Sequence, residues 1–196
     1  MVESDLQSLI ELPPEWLRPG APLEIDLGCH KGAFVVAMAQ QFSDVRFLGI
    51  EQQRKRVEKC RAKIVRLGLG NAQVVQGEGL ETFRERLPAG LASVVHVSFP
   101  DPWPKRRHHV RRLVNADLLR EAWRVLAPEG RLRLMTDDEP YFLAMRSAVE
   151  GFAGFRAIEW EDGRVYPETE FQKKFAATAK PIYRLALRRC ESMSSA

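Results

Sequence analysis

The sequence predicts a doubly wound α/β fold, with a mostly parallel sheet covered by helices on both faces and one antiparallel terminal strand. Three observations carry this. Short apolar runs alternate with helix-like stretches along most of the 196 residues, the pattern of parallel strands joined by crossover helices. The first run, Leu23 to Leu27, alternates strictly and stops at Gly28, as a strand does before a tight turn. The last two runs, Phe155 to Trp160 and Ile182 to Leu187, have no long helix between them. They are therefore expected to pair antiparallel at the end of the sheet.

Each element has its own signature. Leu23-Glu24-Ile25-Asp26-Leu27 places an apolar residue at every second position. Ala33 to Phe42 reads as a helix and Val45 to Ile50 as the second strand. Arg54 to Leu67 predicts a long helix closed by Gly68 and Gly70, residues suited to the turn that ends a helix. Ala72 to Gln76 is a third strand, followed by a short helix near Leu80 to Arg86. Ser93 to Phe99 has the near-continuous apolar character of a buried strand. Asn115 to Leu126 predicts a helix, Arg131 to Met135 a fifth strand and Tyr141 to Glu150 a further helix. With no internal repeat and no low-complexity stretch, residues 1–196 read as one domain with a short extension over 1–20.

Composition narrows the class. Hydrophobic residues make up 45%, enough for a core, yet no apolar run approaches the roughly 18 residues of a membrane span. Met1 to Leu6 carries Glu3 and Asp5 without a basic stretch, so it is not read as a signal peptide, and the cytoplasm is the expected compartment. Cys29, Cys60 and Cys190 are odd in number and lack a C-x-x-C pair. This argues against a disulfide framework or a zinc site and for reduced thiols. The four histidines show no metal-ligand spacing, and no metal is expected.

In a doubly wound sheet the ligand sits at the carboxyl ends of the strands. The first end reads Glu24-Ile25-Asp26-Leu27-Gly28-Cys29-His30-Lys31-Gly32. Gly28 and Gly32 allow a tight turn and a close approach of backbone to ligand. A dinucleotide fingerprint started at Gly28 would put His30 at its second glycine, where a pyrophosphate needs none of a side chain's bulk. A ligand with an amino-acid head, a sulfonium and an adenosine but no phosphates, such as S-adenosylmethionine, suits an acidic strand end better. Glu24 either serves that ligand or pairs with a neighbouring Lys or Arg. Glu51 closes the second strand 23 residues after Gly28, the place of a ribose-hydroxyl acceptor in nucleoside-binding folds. Glu78, after the third strand, could accept from an adenine amino group or stand in a plain turn.

The fourth strand ends in Phe99-Pro100-Asp101-Pro102-Trp103-Pro104-Lys105. Three prolines fix φ and stiffen this loop, which suits a carboxylate held beside a reaction centre. Trp103 either stacks on a base or packs. Lys105, Arg106, Arg107, Arg111 and Arg112 follow, with His108 and His109 among them, a cluster suited to phosphates. A second cluster comprises Arg54, Lys55, Arg56, Lys59, Arg61, Lys63 and Arg66. It is either a polyanion surface or a solvated helix face. Net charge is only +4. After the fifth strand, Thr136 or Asp137 could cap a helix, and Asp138 and Glu139 could cap or contact substrate.

The run from Phe99 to Lys105, continued by Arg106, Arg107, His108, Arg111 and Arg112, resembles bacterial tRNA (guanine-N7)-methyltransferases. So do Thr136-Asp137-x-Glu139-Pro140-Tyr141, Thr169-Glu170-Phe171-Gln172 and Pro181-Ile182-Tyr183-Arg184. The resemblance spans roughly Leu23 to Arg189. It implies a Rossmann-like class I methyltransferase fold, S-adenosylmethionine as methyl donor, and N7 of a guanine in the tRNA variable loop as target. By that resemblance Glu24, Glu51, Glu78 and Asp101 contact the cofactor, with Asp101 at the catalytic position. Lys105, Asp137 and Thr169 to Gln172 contact substrate. The chain departs from the family pattern at His30, where glycine is usual, at Glu78, where aspartate is common, and at Gln172, where glutamate is common. It also lacks a basic amino-terminal arm.

Guanine N7 carries an in-plane lone pair and no proton, so its methylation needs no general base. Positioning should dominate catalysis, with Asp101 or Asp137 able to stabilise the developing cation. Two other classes compete. A class I methyltransferase for a small molecule or protein would not need the basic run after Trp103. A silent RNA-binding protein of the same fold would not need acids at its strand ends.

Overall fold

The computed structural model describes residues 12–18, 22–168, 172 and 180–192. Among them seven strands form one sheet in the order β3-β2-β1-β4-β5-β7-β6. The strands are β1 (Leu23–Leu27), β2 (Arg46–Glu51), β3 (Ala72–Gln76), β4 (Ala92–Ser98), β5 (Leu126–Thr136), β6 (Phe155–Ile158) and β7 (Tyr183–Arg189). The helices are α1 (Ala33–Gln41), α2 (Arg54–Arg66), α3 (Gly79–Arg86), α4 (Ala116–Val125) and α5 (Glu139–Glu150). Two 3-10 turns, Pro14–Leu17 and Arg106–Arg111, complete the described elements.

Strands β1 to β5 are parallel where they pair, and β7 runs antiparallel to both β5 and β6. The reversed strand is thus last in the chain but one place in from the sheet's edge, which β6 forms. Strand β5 starts earlier than the sequence predicts. Leu126 pairs with Ala92, and a register shift between Ala92 and Val94 absorbs the turn around Glu129 and Gly130. The exposed Pro128 and Glu129, followed by a glycine, hide that first rung from a reading of apolar alternation.

Alternation divides the core in two. Leu23, Ile25 and Leu27 join Val95, Val97, Leu132 and Leu134 on one face, beneath Phe83, Leu118, Leu119, Tyr141 and Met145. On the other face Phe47 and Val74 meet Val35, Met38, Val57, Cys60 and Ile64 from α1 and α2. The register puts Glu24 beside Phe47, and Asp26 beside His96, which itself neighbours Arg133. Over β4 and β5 this second face therefore carries charge, and residues 160–166 cover it in place of a helix.

Candidate functional site

The order of the strands reverses between β1 and β4, so the crevice for a ligand opens there. Gly28 at φ 85°, His30 at φ 54° and Gly32 at φ 70° turn the chain off β1 and into α1. A Cβ at Gly32 would stand 2.0 Å from Cys60 Sγ, so only glycine fits against α2. His30 is not glycine, and a left-handed conformation costs such a residue roughly 1–2 kcal/mol. Its amide offsets part of that cost by donating to Glu51 Oε2 at 3.1 Å.

Glu51 closes β2 buried, its second oxygen accepting from the Gln53 amide at 2.8 Å and Arg56 standing 3.6 Å away. A carboxylate has about four acceptor sites, so capacity for a ligand remains. Asp26 shares the crevice and is 7% exposed. No cation or hydrogen-bond donor among the described residues meets its carboxylate. Burial, with the charge of Glu51 adding to it, pushes its pKa up to about 7. Two buried acids without a buried cation between them suit a ligand that brings its own positive charge and hydroxyl donors. They repel a pyrophosphate. The sequence reading passed over Asp26, although its place two residues before Gly28, on the face shared with Glu24, was the available signal.

Glu24 lies deeper in β1 and is already engaged. His96 Nε2 stands 2.9 Å from one oxygen and the Arg164 guanidinium binds the other. Burial alone would raise its pKa, but His96 and Arg164 together hold it below the usual carboxylate range. Glu24 is thus paired with a neighbouring Arg, as one reading of the sequence had it. Arg133 lies between the rings of Trp160 and Tyr166, at 3.9 and 4.2 Å from their centroids. Asp162 accepts from Arg131 at 2.8 Å and from the Tyr166 hydroxyl at 2.6 Å. These ties strap residues 160–166 across the sheet face. Apart from the Tyr166–Asp162 bond, their partners lie 27 to 140 residues apart in sequence, so no local pattern announces them.

Glu78 caps α3, one oxygen accepting from the Glu81 amide at 2.9 Å. Asp101 is exposed at the end of β4, where its Oδ1 accepts from the Trp103 amide at 3.2 Å. Phe99 and Trp103 both take positive φ, at 54° and 45°. Arg112 holds this strained loop from beneath. It donates to the Pro102 carbonyl at 2.9 Å and lies over the Tyr141 ring at 4.8 Å, with only 8% of its surface exposed. Arg112 is therefore a loop anchor and leaves the phosphate cluster predicted from sequence. Lys105, Arg106, Arg107 and Arg111 stay exposed. Trp103 packs between Arg111, at 5.0 Å, and His108, at 5.7 Å.

Asp137 follows β5 and pairs with Lys180 at 3.3 Å. Asp138 is the helix cap, accepting from the Tyr141 amide at 2.8 Å. Between the 160s strap and the ends of β4 and β5 lies a cleft of about 320 Å³, lined among others by Ser98, Met135, Trp160, Gln172 and Arg184. Thr169, Glu170 and Phe171 lie outside the described residues. Among the described residues no His, Cys, Asp and Glu group could hold a metal ion.

Residues 20–185 match a family model described as a putative methyltransferase. The tRNA (guanine-N(7)-)-methyltransferase of Levilactobacillus brevis is 36% identical over 172 residues, covering 84% of this chain and 78% of that protein. The enzyme of that name from Microcystis aeruginosa is 32% identical over 187 residues, covering 90% of this chain and 89% of that one. Among solved structures, the aminoglycoside resistance methyltransferase NpmB1 superposes with a TM-score of 0.63 at 24% identity, covering 90% of this chain and 91% of that one. A SAM dependent methyltransferase from Aquifex aeolicus gives 0.56 at 18% identity, covering 95% and 87%.

Proposed function

Since the chain belongs to the tRNA (guanine-N7)-methyltransferase family, we propose that it methylates N7 of a guanine in the variable loop of tRNA. The methyl donor is S-adenosylmethionine, which supplies a methyl group on a positively charged sulfur. The observation that carries this reading is the Phe99 to Lys105 loop, held rigidly at the end of β4 beside the buried acids of β1 and β2.

Each residue has a definite task. The Gly28 to Gly32 turn and Asp26 hold the amino-acid end of the donor, Asp26 facing its ammonium group, and Glu51 accepts from its ribose hydroxyls. Glu78 keeps one carboxylate oxygen beyond its capping bond for the adenine amino group. Glu24 braces the 160s strap and is not proposed as a donor contact. Asp101 stands at the reaction centre, where its negative charge favours the cation that develops on the guanine ring. The attacking N7 has no proton, so no side chain acts as a base. Lys105, Arg106, Arg107 and Arg111 take phosphates near the target.

The cleft beneath Trp160 receives the target base. Asp137, once shared with or released by Lys180, accepts from the guanine N1–H and amino group, a donor edge that adenine lacks. Gln172 offers one amide oxygen to the same base. The cytoplasm is the proposed compartment, and no described helix is long and apolar enough to cross a membrane. The test is incubation with labelled methyl donor and unmodified tRNA, followed by identification of the labelled nucleoside. The expected product is 7-methylguanosine. Label in any other nucleoside, or none in tRNA, overturns the reading.

A further inference from the structure

The second basic cluster forms helix α2, with seven cations and one acid, Glu58, in thirteen residues. Part of this charge is used locally. Arg54 pairs with Glu58 at 2.9 Å, Arg56 stands 3.6 Å from Glu51, and Lys63 donates to the Lys31 carbonyl at 3.1 Å. Lys55, Lys59 and Arg66 are exposed, and no carboxylate among the described residues pairs with them. At 3.6 residues per turn these three and Ala62 fall within a wedge of about 60°. That wedge lies opposite the buried Val57, Cys60 and Ile64.

A face that merely solvates the helix would be built differently. It would mix charge signs and place oppositely charged residues four apart, whereas Lys55 and Lys59 are like charges at that spacing. The first turn contains Arg54, Lys55 and Arg56 and no acid. The helix dipole disfavours cations there by roughly 0.3–1 kcal/mol each. Within the stripe Lys55 bears that cost, while Arg66 in the last turn is favoured by the dipole. The helix runs about 20 Å, antiparallel to β2, from the ligand edge at Glu51 down to the opposite edge of the sheet. Strand β2, from which α2 follows, lies two places in the sheet from β4, which carries the Lys105 loop.

We infer that the outer stripe of α2, Lys55, Lys59 and Arg66, is a second RNA-binding surface that holds tRNA backbone phosphates away from the target nucleotide. The inference rests on the tRNA reading of the site and extends it to how the rest of the substrate is gripped. An RNA bound at the Lys105 loop and along α2 would cross the donor crevice that lies between them. None of the three side chains forms a hydrogen bond or ion pair with a described strand-end residue, so they are assigned to capture of the tRNA and not to the methyl transfer.

The test replaces all three in the full chain by glutamate (Lys55→Glu, Lys59→Glu, Arg66→Glu) and, as a milder set, by glutamine. Circular dichroism and calorimetric titration with S-adenosylmethionine check that fold and donor site are intact. Direct tRNA binding is then measured against salt. Loss of three phosphate contacts should reduce the slope of log affinity against log salt by about 2–3 and weaken binding about tenfold or more. In turnover assays KM for tRNA should rise while kcat at saturation holds. A wild-type slope and wild-type KM in a folded glutamine variant overturn the inference. If wild-type protein methylates no tRNA but the variants still lose RNA affinity, the functional reading fails and the α2 surface stands.

Discussion

Asp26 and Asp101 are two carboxylates with opposite surroundings, and the difference sets what each can do. Asp101 is exposed on a stiff loop and lies beside the proposed reaction centre. Replacing Asp101 by alanine should nearly abolish turnover and leave tRNA affinity within a few fold, because the phosphates are held by Lys105 and its neighbours. Wild-type-like turnover in the folded variant would remove Asp101 from the mechanism. Asp26 is buried, and its pKa is raised from 3.8 to about 7. Between those values the folded protein binds more protons than the unfolded chain, so this group makes stability fall as pH rises through that window. The penalty is complete above pH about 7 and amounts to a few kcal/mol at most. Asp26→Asn should remove that slope in denaturant titrations, and an unchanged slope would exclude Asp26 as its source. Donor affinity of the wild-type protein should move the other way, rising through pH about 7 as Asp26 ionises and meets the donor's positive charge.

At the scale of elements, the sheet was largely legible because it is built on local rules. Strict alternation in Leu23 to Leu27, the apolar run of β4 and the glycines after Arg66 each act within a few residues. The ends of strands β1, β2 and β4 pointed to the crevice for the same reason. The strap over β4 and β5 was illegible because it is held by partners far apart in sequence. Glu24 meets His96 and Arg164, and Arg133 enters between Trp160 and Tyr166. Nor does any local pattern show that Arg112 anchors the Pro102 loop instead of joining the phosphate cluster. The strap makes a prediction of its own. Removing one partner of a buried pair leaves the other charged and unsatisfied, at a cost of about 3–5 kcal/mol when burial is complete. Arg164 keeps 26% of its side chain exposed, so Arg164→Ala should cost less, roughly 1–3 kcal/mol once solvent screening is allowed for. Chemical denaturation reads this directly, and a loss below about 0.5 kcal/mol would show that the strap is not held by Glu24. The same variant should weaken binding of the target base by loosening one wall of the cleft.

For the whole molecule, a donor crevice at β1 and β2, a rigid loop bearing Asp101 at β4 and basic surfaces on either side serve one chemical step: guanine N7 attacks the donor methyl without a base. The attacking N7 has no proton to lose, so the chemical step calls for no proton acceptor. A histidine base would instead impose a rising limb near pH ~6.5. Donor affinity varies with Asp26, and product release can limit multiple turnover, so neither steady-state rates nor sub-saturating donor isolates the chemical step. The measurement that does is single-turnover methylation with donor and tRNA both saturating, run with guanine and with 7-deazaguanine at the target position. The expected rate is nearly flat from about pH 6 to about pH 8 with the guanine substrate, and no reaction is expected with the deaza substrate, which lacks the N7 lone pair. A rate that climbs tenfold per pH unit across that window without a change in binding, or methylation of the deaza substrate, would contradict a base-free attack by N7.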